Sequence, residues 1–175
     1  MREIRDGKWC LVRGKVMDEK GEPIEGAIIK VWERDETRHY DTHYEDRKGP
    51  DYRGRLKSDK NGNFSFKAIR PVPYPIPHDG TRHKHTFAGI FHFGKILLRL
   101  VPRLTDRTCR ELLKRLNCHP YRPSHIQFTI IADRFDTLVT AIYIRGDPFE
   151  TFDAVFGVKS SLIVDVKTVE DESMV

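Results

Sequence analysis

Along most of the chain, apolar and polar residues alternate with a period of two, in short runs broken by turn residues. In CLVRGKVMDEKGEPIEGAIIKVW (residues 10–32), Leu11, Arg13, Lys15 and Met17 share one side, and Val12 and Val16 share the other. Asp18 to Pro23 forms a turn cluster, and a second apolar run follows from Ala27 to Trp32. Period-two alternation around a Gly/Pro/Asp cluster predicts strand, turn and strand. Residues 53–69 open polar and then read SDKNGNFSFKAI, where Asn61-Gly62 predicts a tight turn that feeds Phe64, Phe66 and Ala68 onto one face. The stretch PVPYPIPHDG (residues 71–80) holds four prolines in seven positions and can be neither helix nor central strand. Residues 125–132, 137–145 and 161–166 are rich in β-branched residues and predict further strands. Only residues 86–117 read as helical. Pro102 splits two candidate helices there, and Leu112, Leu113 and Leu116 mark the apolar side of the second. Many short strands and one helical insert predict an all-β fold, a two-sheet β-sandwich.

Composition adds limits. The 175 residues suit one domain, 1–175, with a frayed tail over 168–175. No run of about 18 apolar residues is present, so no membrane span is expected. The opening MREIRDGKWC mixes arginines with acids and lacks the apolar stretch of a secretory signal. Three cysteines, Cys10, Cys109 and Cys118, give no disulfide framework, and a reduced cytoplasmic chain is the expectation. The net charge of +5 is uneven: residues 81–115 carry +7 and the remainder −2. One basic segment without a recognition motif does not predict a nucleic-acid partner.

The motif G-x-V-x-D-x-x-G-x-P-x-x-G-A, Gly14 to Ala27, is shared by many sandwich modules and by itself says only that. Four later stretches are more specific: VWERDETRHYD with Trp32 and Tyr40, PVPYPIPHDG with Tyr74, CHPYRPSHIQF with Arg122, Pro123 and His125, and LVTAIYIRGDPFETFDAVFGVKSSLIVDV from Leu138 to Val166. In order and spacing they resemble the intradiol ring-cleavage dioxygenases, the catechol and hydroxyquinol 1,2-dioxygenases, and the last stretch resembles fungal members. The likeness covers most of residues 10–166.

That resemblance implies an Fe(III) enzyme that opens an aromatic diol between its two hydroxylated carbons with O2. It places the family's two tyrosine ligands on Tyr40 and Tyr74 and its first histidine ligand on His125. The second histidine falls on Gln127, where the sequence departs from the family's H-x-H pair. The substrate-facing arginine falls on Arg122, and Ala141 lies in the strand that borders the substrate. The donor set suits the ion: Fe(III) is a hard cation whose charge two phenolates offset. A tyrosine ionises at neutral pH beside such a charge because the metal replaces the proton. Residues 125 and 127, two apart on a strand, point to one face. The other histidines (His39, His43, His78, His83, His85, His92 and His119) show no ligand spacing and read as exposed, with His119 near the pocket rim.

Two further departures carry expectations. The family's core follows an N-terminal helical segment that supplies the dimer contact; here the first strand opens the chain, so an open pocket and a homodimer without that contact are expected. The family joins its proline-rich stretch to R-P-x-H by a short helix, which RELLKRLNCHPYRP resembles. Residues 81–109 are then an insertion: a cover, a partner-binding helix, or sequence that entered through imperfect gene annotation. The competing readings are a degenerate, non-catalytic relative or binding module that has lost iron, and an interaction protein using its basic insert.

Overall fold

The computed structural model describes residues 8–46, 49–76, 111 and 113–168, and among them the backbone is organised as nine strands with very little helix. The strands are β1 (Trp9–Lys15), β2 (Ile28–Trp32), β3 (Arg53–Lys57), β4 (Asn63–Ile69), β5 (Tyr74–Pro75), β6 (Tyr121–Arg122), β7 (His125–Ile131), β8 (Leu138–Ile144) and β9 (Ile163–Val164). They form a five-stranded sheet in the order β3-β2-β7-β8-β9 and two two-stranded sheets, β1-β4 and β5-β6. All pairings are antiparallel except β8 with β9. The fold is therefore β-rich with several sheets, as the period-two pattern predicts. The expected insert at 81–109, and the expected tail beyond residue 168, lie outside the described residues.

The alternation in β1 sends Cys10, Val12 and Gly14 inward and Trp9, Leu11, Arg13 and Lys15 outward. Gly14 pairs with Phe64, whose ring lies over it so closely that any side chain at 14 would collide with it. In the turn before β4, the Asp59 carboxylate accepts the amides of Asn61 and Asn63, both at 2.8 Å. Gly62 closes that turn at φ 78°, a left-handed backbone that suits glycine. The core joins Val16, Ala27, Ile29, Val31, Ala68, Ile126 and Phe128, with Val12, Phe64, Phe66, Ile130 and Ile142 packed against it. Phe64 and Phe66 of the β1-β4 pair meet Phe128 of the five-stranded sheet edge-on, at 6.3 and 6.2 Å.

Two local differences from expectation have physical causes. The polar stretch 53–57 forms a strand, β3. It is an edge strand whose Arg53, Gly54, Arg55 and Lys57 are exposed, so it needs no apolar alternation, and charge on an edge discourages further pairing. In 161–166 only Ile163–Val164 pairs, because Ser160–Leu162 turns as a 3-10 segment before it. The helix expected near 110–116 is present at the described residues 111 and 113–115. It ends in a Schellman arrangement, with the amide of Cys118 on the Leu113 carbonyl at 2.8 Å, that of Asn117 on Lys114 at 3.1 Å, and Asn117 at φ 51°.

The same period that buries Ile126 and Phe128 turns His125 and Gln127 to the outer face of the five-stranded sheet. Register sets Tyr143 beside His125, and Ala141 and Trp32 on either side of Gln127. No helix among the described residues is long and apolar enough to cross a membrane.

Candidate metal centre

The outer face of β7 becomes a site because three irregular segments fold over it. The first leaves β2 at Trp32. Asp35, 1% exposed, anchors it: its carboxylate accepts the Thr37 amide at 3.0 Å, the Thr37 hydroxyl at 2.7 Å, the His39 amide at 2.9 Å and the Tyr44 hydroxyl at 2.6 Å. Those bonds outweigh burial and hold the Asp35 carboxyl below its usual range. Arg38 turns at φ 71°, and the chain emerges at Tyr40 ahead of a 3-10 turn, Asp41–His43. Asp41 fixes the far side of that turn through Arg53 at 2.7 Å and the Asp51 amide at 3.0 Å. The second segment is the proline-rich stretch. Proline lacks an amide donor, so it pairs for only two residues, Tyr74–Pro75, against Tyr121–Arg122 at an edge. The third, residues 147–157, returns over Arg122.

These segments bring the tyrosines to His125. The Tyr40 and Tyr74 hydroxyls lie 3.3 Å apart, and Tyr74 Oη lies 3.1 Å from His125 Nε2. Gln127 Nε2 donates to Tyr40 Oη at 2.9 Å, across 87 positions of sequence. The expected residues Tyr40, Tyr74, His125 and Gln127 are thus brought together. Arg122 joins them through Nη1, 3.4 Å from Tyr74 Oη, and Ala141 borders Gln127 by register. His119 stands apart, its Nδ1 accepting the Tyr121 amide at 3.1 Å and its ring against Phe149 at 4.7 Å. His43, expected to be exposed, is half-buried edge-on to Tyr40 at 5.7 Å. The 3-10 turn that follows Tyr40 carries it inward.

The donor chemistry fits a metal ion. Ligand atoms about 2.0–2.2 Å from one ion and at right angles to each other lie about 3 Å apart, which matches the separations of 3.3 and 3.1 Å among the tyrosine and histidine atoms. His125 Nδ1 lies 2.7 Å from the Pro123 carbonyl, so its proton sits there and Nε2 turns a lone pair to the tyrosines. Burial, then the Arg122 charge, pushes the His125 pKa down to about 3, so the imidazole stays neutral. Burial, then the neighbouring Tyr40, pushes Tyr74 above the usual phenol range, against the pull of Arg122 and Arg34. A metal ion would replace that proton. Gln127 is different: the atom it presents is an N–H donor, which cannot bind a metal. A half-turn of the amide would bring Oε1 to the same place, a neutral and weaker donor.

Several residues at the site carry no sequence signal of their own. Asp153, with its side chain 1% exposed, takes Arg122 Nε at 3.2 Å and Nη2 at 3.4 Å. Arg122 Nη2 also reaches the Tyr143 hydroxyl at 3.1 Å. Burial would weaken the Arg122 charge, but Tyr74 and Asp153 overcome it and hold the guanidinium protonated. Gly157 admits this cluster, since a Cβ there would sit 2.6 Å from Tyr143 Oη and 3.0 Å from Asp153 Oδ2. Arg34 lies over the Tyr74 ring at 3.6 Å and the Tyr40 ring at 4.6 Å. Continuing the β2 alternation past Trp32 would have sent Arg34 to this face. Asp153 and Gly157 lie inside the DAVFGV motif, but nothing in their spacing marks them as partners of Arg122.

Comparison with known proteins is consistent with this geometry. The Dioxygenase family pattern matches residues 2–95 and 86–175. The chain is 48% identical over 160 residues to the intradiol ring-cleavage dioxygenase hqdA of Aspergillus niger, covering 91% of this chain and 40% of that protein. It is 37% identical over 159 residues to a 6-chlorohydroxyquinol 1,2-dioxygenase of Cupriavidus pinatubonensis, covering 91% and 48%. Among solved structures, the hydroxyquinol 1,2-dioxygenase of Pseudomonas putida DLL-E4 superposes with a TM-score of 0.74 at 34% identity, covering 94% of this chain and 48% of that one. The chain spans less than half the length of these curated relatives.

Proposed function

The chain belongs to the intradiol ring-cleavage dioxygenase family, and from that premise we propose that it is an Fe(III)-dependent dioxygenase that cleaves a catechol or hydroxyquinol with O2. The fold that carries this activity is a two-layer sandwich, with β1-β4 packed on the five-stranded sheet. One observation carries the function: Tyr40, Tyr74 and His125, from three separate segments, set their polar atoms within 3.3 Å of a neighbour in the cluster. Tyr40, Tyr74 and His125 would hold the iron, with Gln127 supplying at most a weak fourth donor. Bound there, Fe(III) would supply the electron-withdrawing chemistry that makes an aromatic diol reactive towards O2.

The protein groups do the rest. With the metal bound, a tyrosine oxygen would be held as phenolate and would accept one proton from an incoming diol. His125 stays neutral, held by the Pro123 carbonyl. Arg122, charged and braced by Asp153 and Tyr143, stands where negative charge on the ring would develop beside Tyr74. Ala141, ending at Cβ, leaves room for the ring next to Gln127, which suits an unsubstituted or hydroxylated diol.

The test is reconstitution of the chain with Fe(III) under air, followed by a visible spectrum, an iron assay and O2 uptake with hydroxyquinol and catechol. A tyrosinate-to-iron absorption band with O2 consumption is expected. Absence of both leaves the second reading, a relative that has lost iron. One observation favours that reading: Gln127 presents an N–H to Tyr40 where the metal reading needs a donor atom.

A further inference from the structure

Arg34 has no part in the ligand set, yet it is the residue that touches both tyrosines face-on. Its guanidinium carbon lies 3.6 Å from the centroid of Tyr74 and 4.6 Å from that of Tyr40. Nη1 is tied to the Arg38 carbonyl at 2.7 Å, inside the loop that Asp35 braces. Nε is buried and, among the described residues, makes no hydrogen bond. Leaving a buried N–H unpaired is costly, and stacking of the guanidinium on aromatic faces offsets that cost. The ring contacts therefore decide where this side chain sits. Among the described residues, its counterparts are the Arg38 carbonyl and the two phenol π-systems.

Resting on the iron reading above, we propose that Arg34 is a positioning residue: it clamps Tyr40 and Tyr74 side by side as phenol ligands and sets the electronic energy of that pair through its fixed positive charge. Tyr40 and Tyr74 come from segments 34 residues apart, and they share no backbone pairing. Their hydroxyls are fixed by each other and by Gln127, His125 and Arg122, and the shared guanidinium is what holds the ring faces together. A cation over the rings also stabilises electrons held on the tyrosine oxygens. Charge transfer from tyrosinate to Fe(III) then needs more energy than it would without Arg34.

The experiment compares Arg34→Met, Arg34→Lys and the parent chain, each full length. Metal-free samples are read by thermal melting and by near-ultraviolet circular dichroism. Fe(III) is then titrated against a competing chelator while the visible band is followed. Arg34→Met should melt with the parent but lose part of the tyrosine dichroism, bind Fe(III) about tenfold more weakly, and absorb at longer wavelength. Arg34→Lys, which keeps the charge, should restore the band position and much of the affinity. A Met variant with unchanged dichroism, affinity and band overturns the proposal. So does a band that stays put in both variants while affinity falls equally, because that describes packing alone. Should the Met variant fail to fold, Arg34→Gln replaces it under the same criteria. If the parent chain takes up no iron, the iron reading fails by itself, and the metal-free dichroism decides the clamp: signal lost in Met and kept in Lys supports it, and signal kept in both overturns it.

Discussion

At the scale of single residues, position 127 controls the proposed metal chemistry. The strand already aims Gln127 at Tyr40, 2.9 Å away, so Gln127→His needs no backbone change to supply an imidazole. The expected result is Fe(III) retention about 10- to 100-fold tighter and a stronger visible band, read by chelator competition and spectrum. His125→Ala removes the cluster's histidine, and both signals should vanish. A second residue-scale prediction concerns the brace on Arg122. Asp153→Asn leaves a buried guanidinium without its counter-charge, and urea unfolding should register a loss of about 3–5 kcal/mol. Gly157→Ala pushes a methyl against Tyr143, Asp153 and Arg122 and should cost about 1–3 kcal/mol in the same assay.

Elements place charged groups by the same alternation that places apolar ones, and at the end of β2 this has a pH consequence. Glu33 follows Val31 towards the interior, 6% exposed, with Oε1 accepting the Ile69 amide at 3.0 Å where β4 ends. Burial pushes its pKa from 4.5 up to about 8, although that amide bond pulls the other way. Cys10 of β1 faces it, and its own thiol is pushed up to about 11 by burial and by Glu33, with Arg70 opposing. The folded state therefore prefers Glu33 protonated. Below pH 4.5 both folded and unfolded forms hold the proton and no penalty exists; between about pH 4.5 and 8 stability falls as pH rises, on the order of 1 kcal/mol per pH unit, and it levels off above. Glu33→Gln keeps the shape and removes the titration. Denaturation midpoints from pH 5 to 9 should slope downward for the parent and much less for the variant. Equal slopes would place the pH dependence elsewhere.

Over the whole molecule, Phe128 links the β1-β4 pair to the five-stranded sheet. Phe128 receives both Phe64 and Phe66 from the β1-β4 pair, and the strand that carries it also carries His125 and Gln127 on the reverse face. Phe128→Ala should cost about 3–5 kcal/mol. Because the cavity lies directly behind the site, it should also weaken Fe(III) retention, measured on protein that is still folded. A variant that loses stability but keeps full metal affinity would show that the outer face does not depend on this packing.

The amino-acid order by itself determined the strands of the core, the Asn61-Gly62 turn and the placing of residues 125 and 127 on one face, because a strand's period of two is a local property of the backbone. Motif likeness pointed to Tyr40, Tyr74 and His125, but their meeting depended on the register of β5 against β6 and on the Asp35-braced loop, neither of which any local period encodes. β3 was not legible because an exposed, charged edge strand carries no apolar signature. Arg34 and the Arg122–Asp153–Tyr143 cluster were likewise set by tertiary structure: whether an arginine pairs, stacks or faces water depends on which groups the fold brings to it. The same holds for Gln127, whose residue type was plain from the chain but whose N–H contact with Tyr40 came only from strands and loop closing around one point.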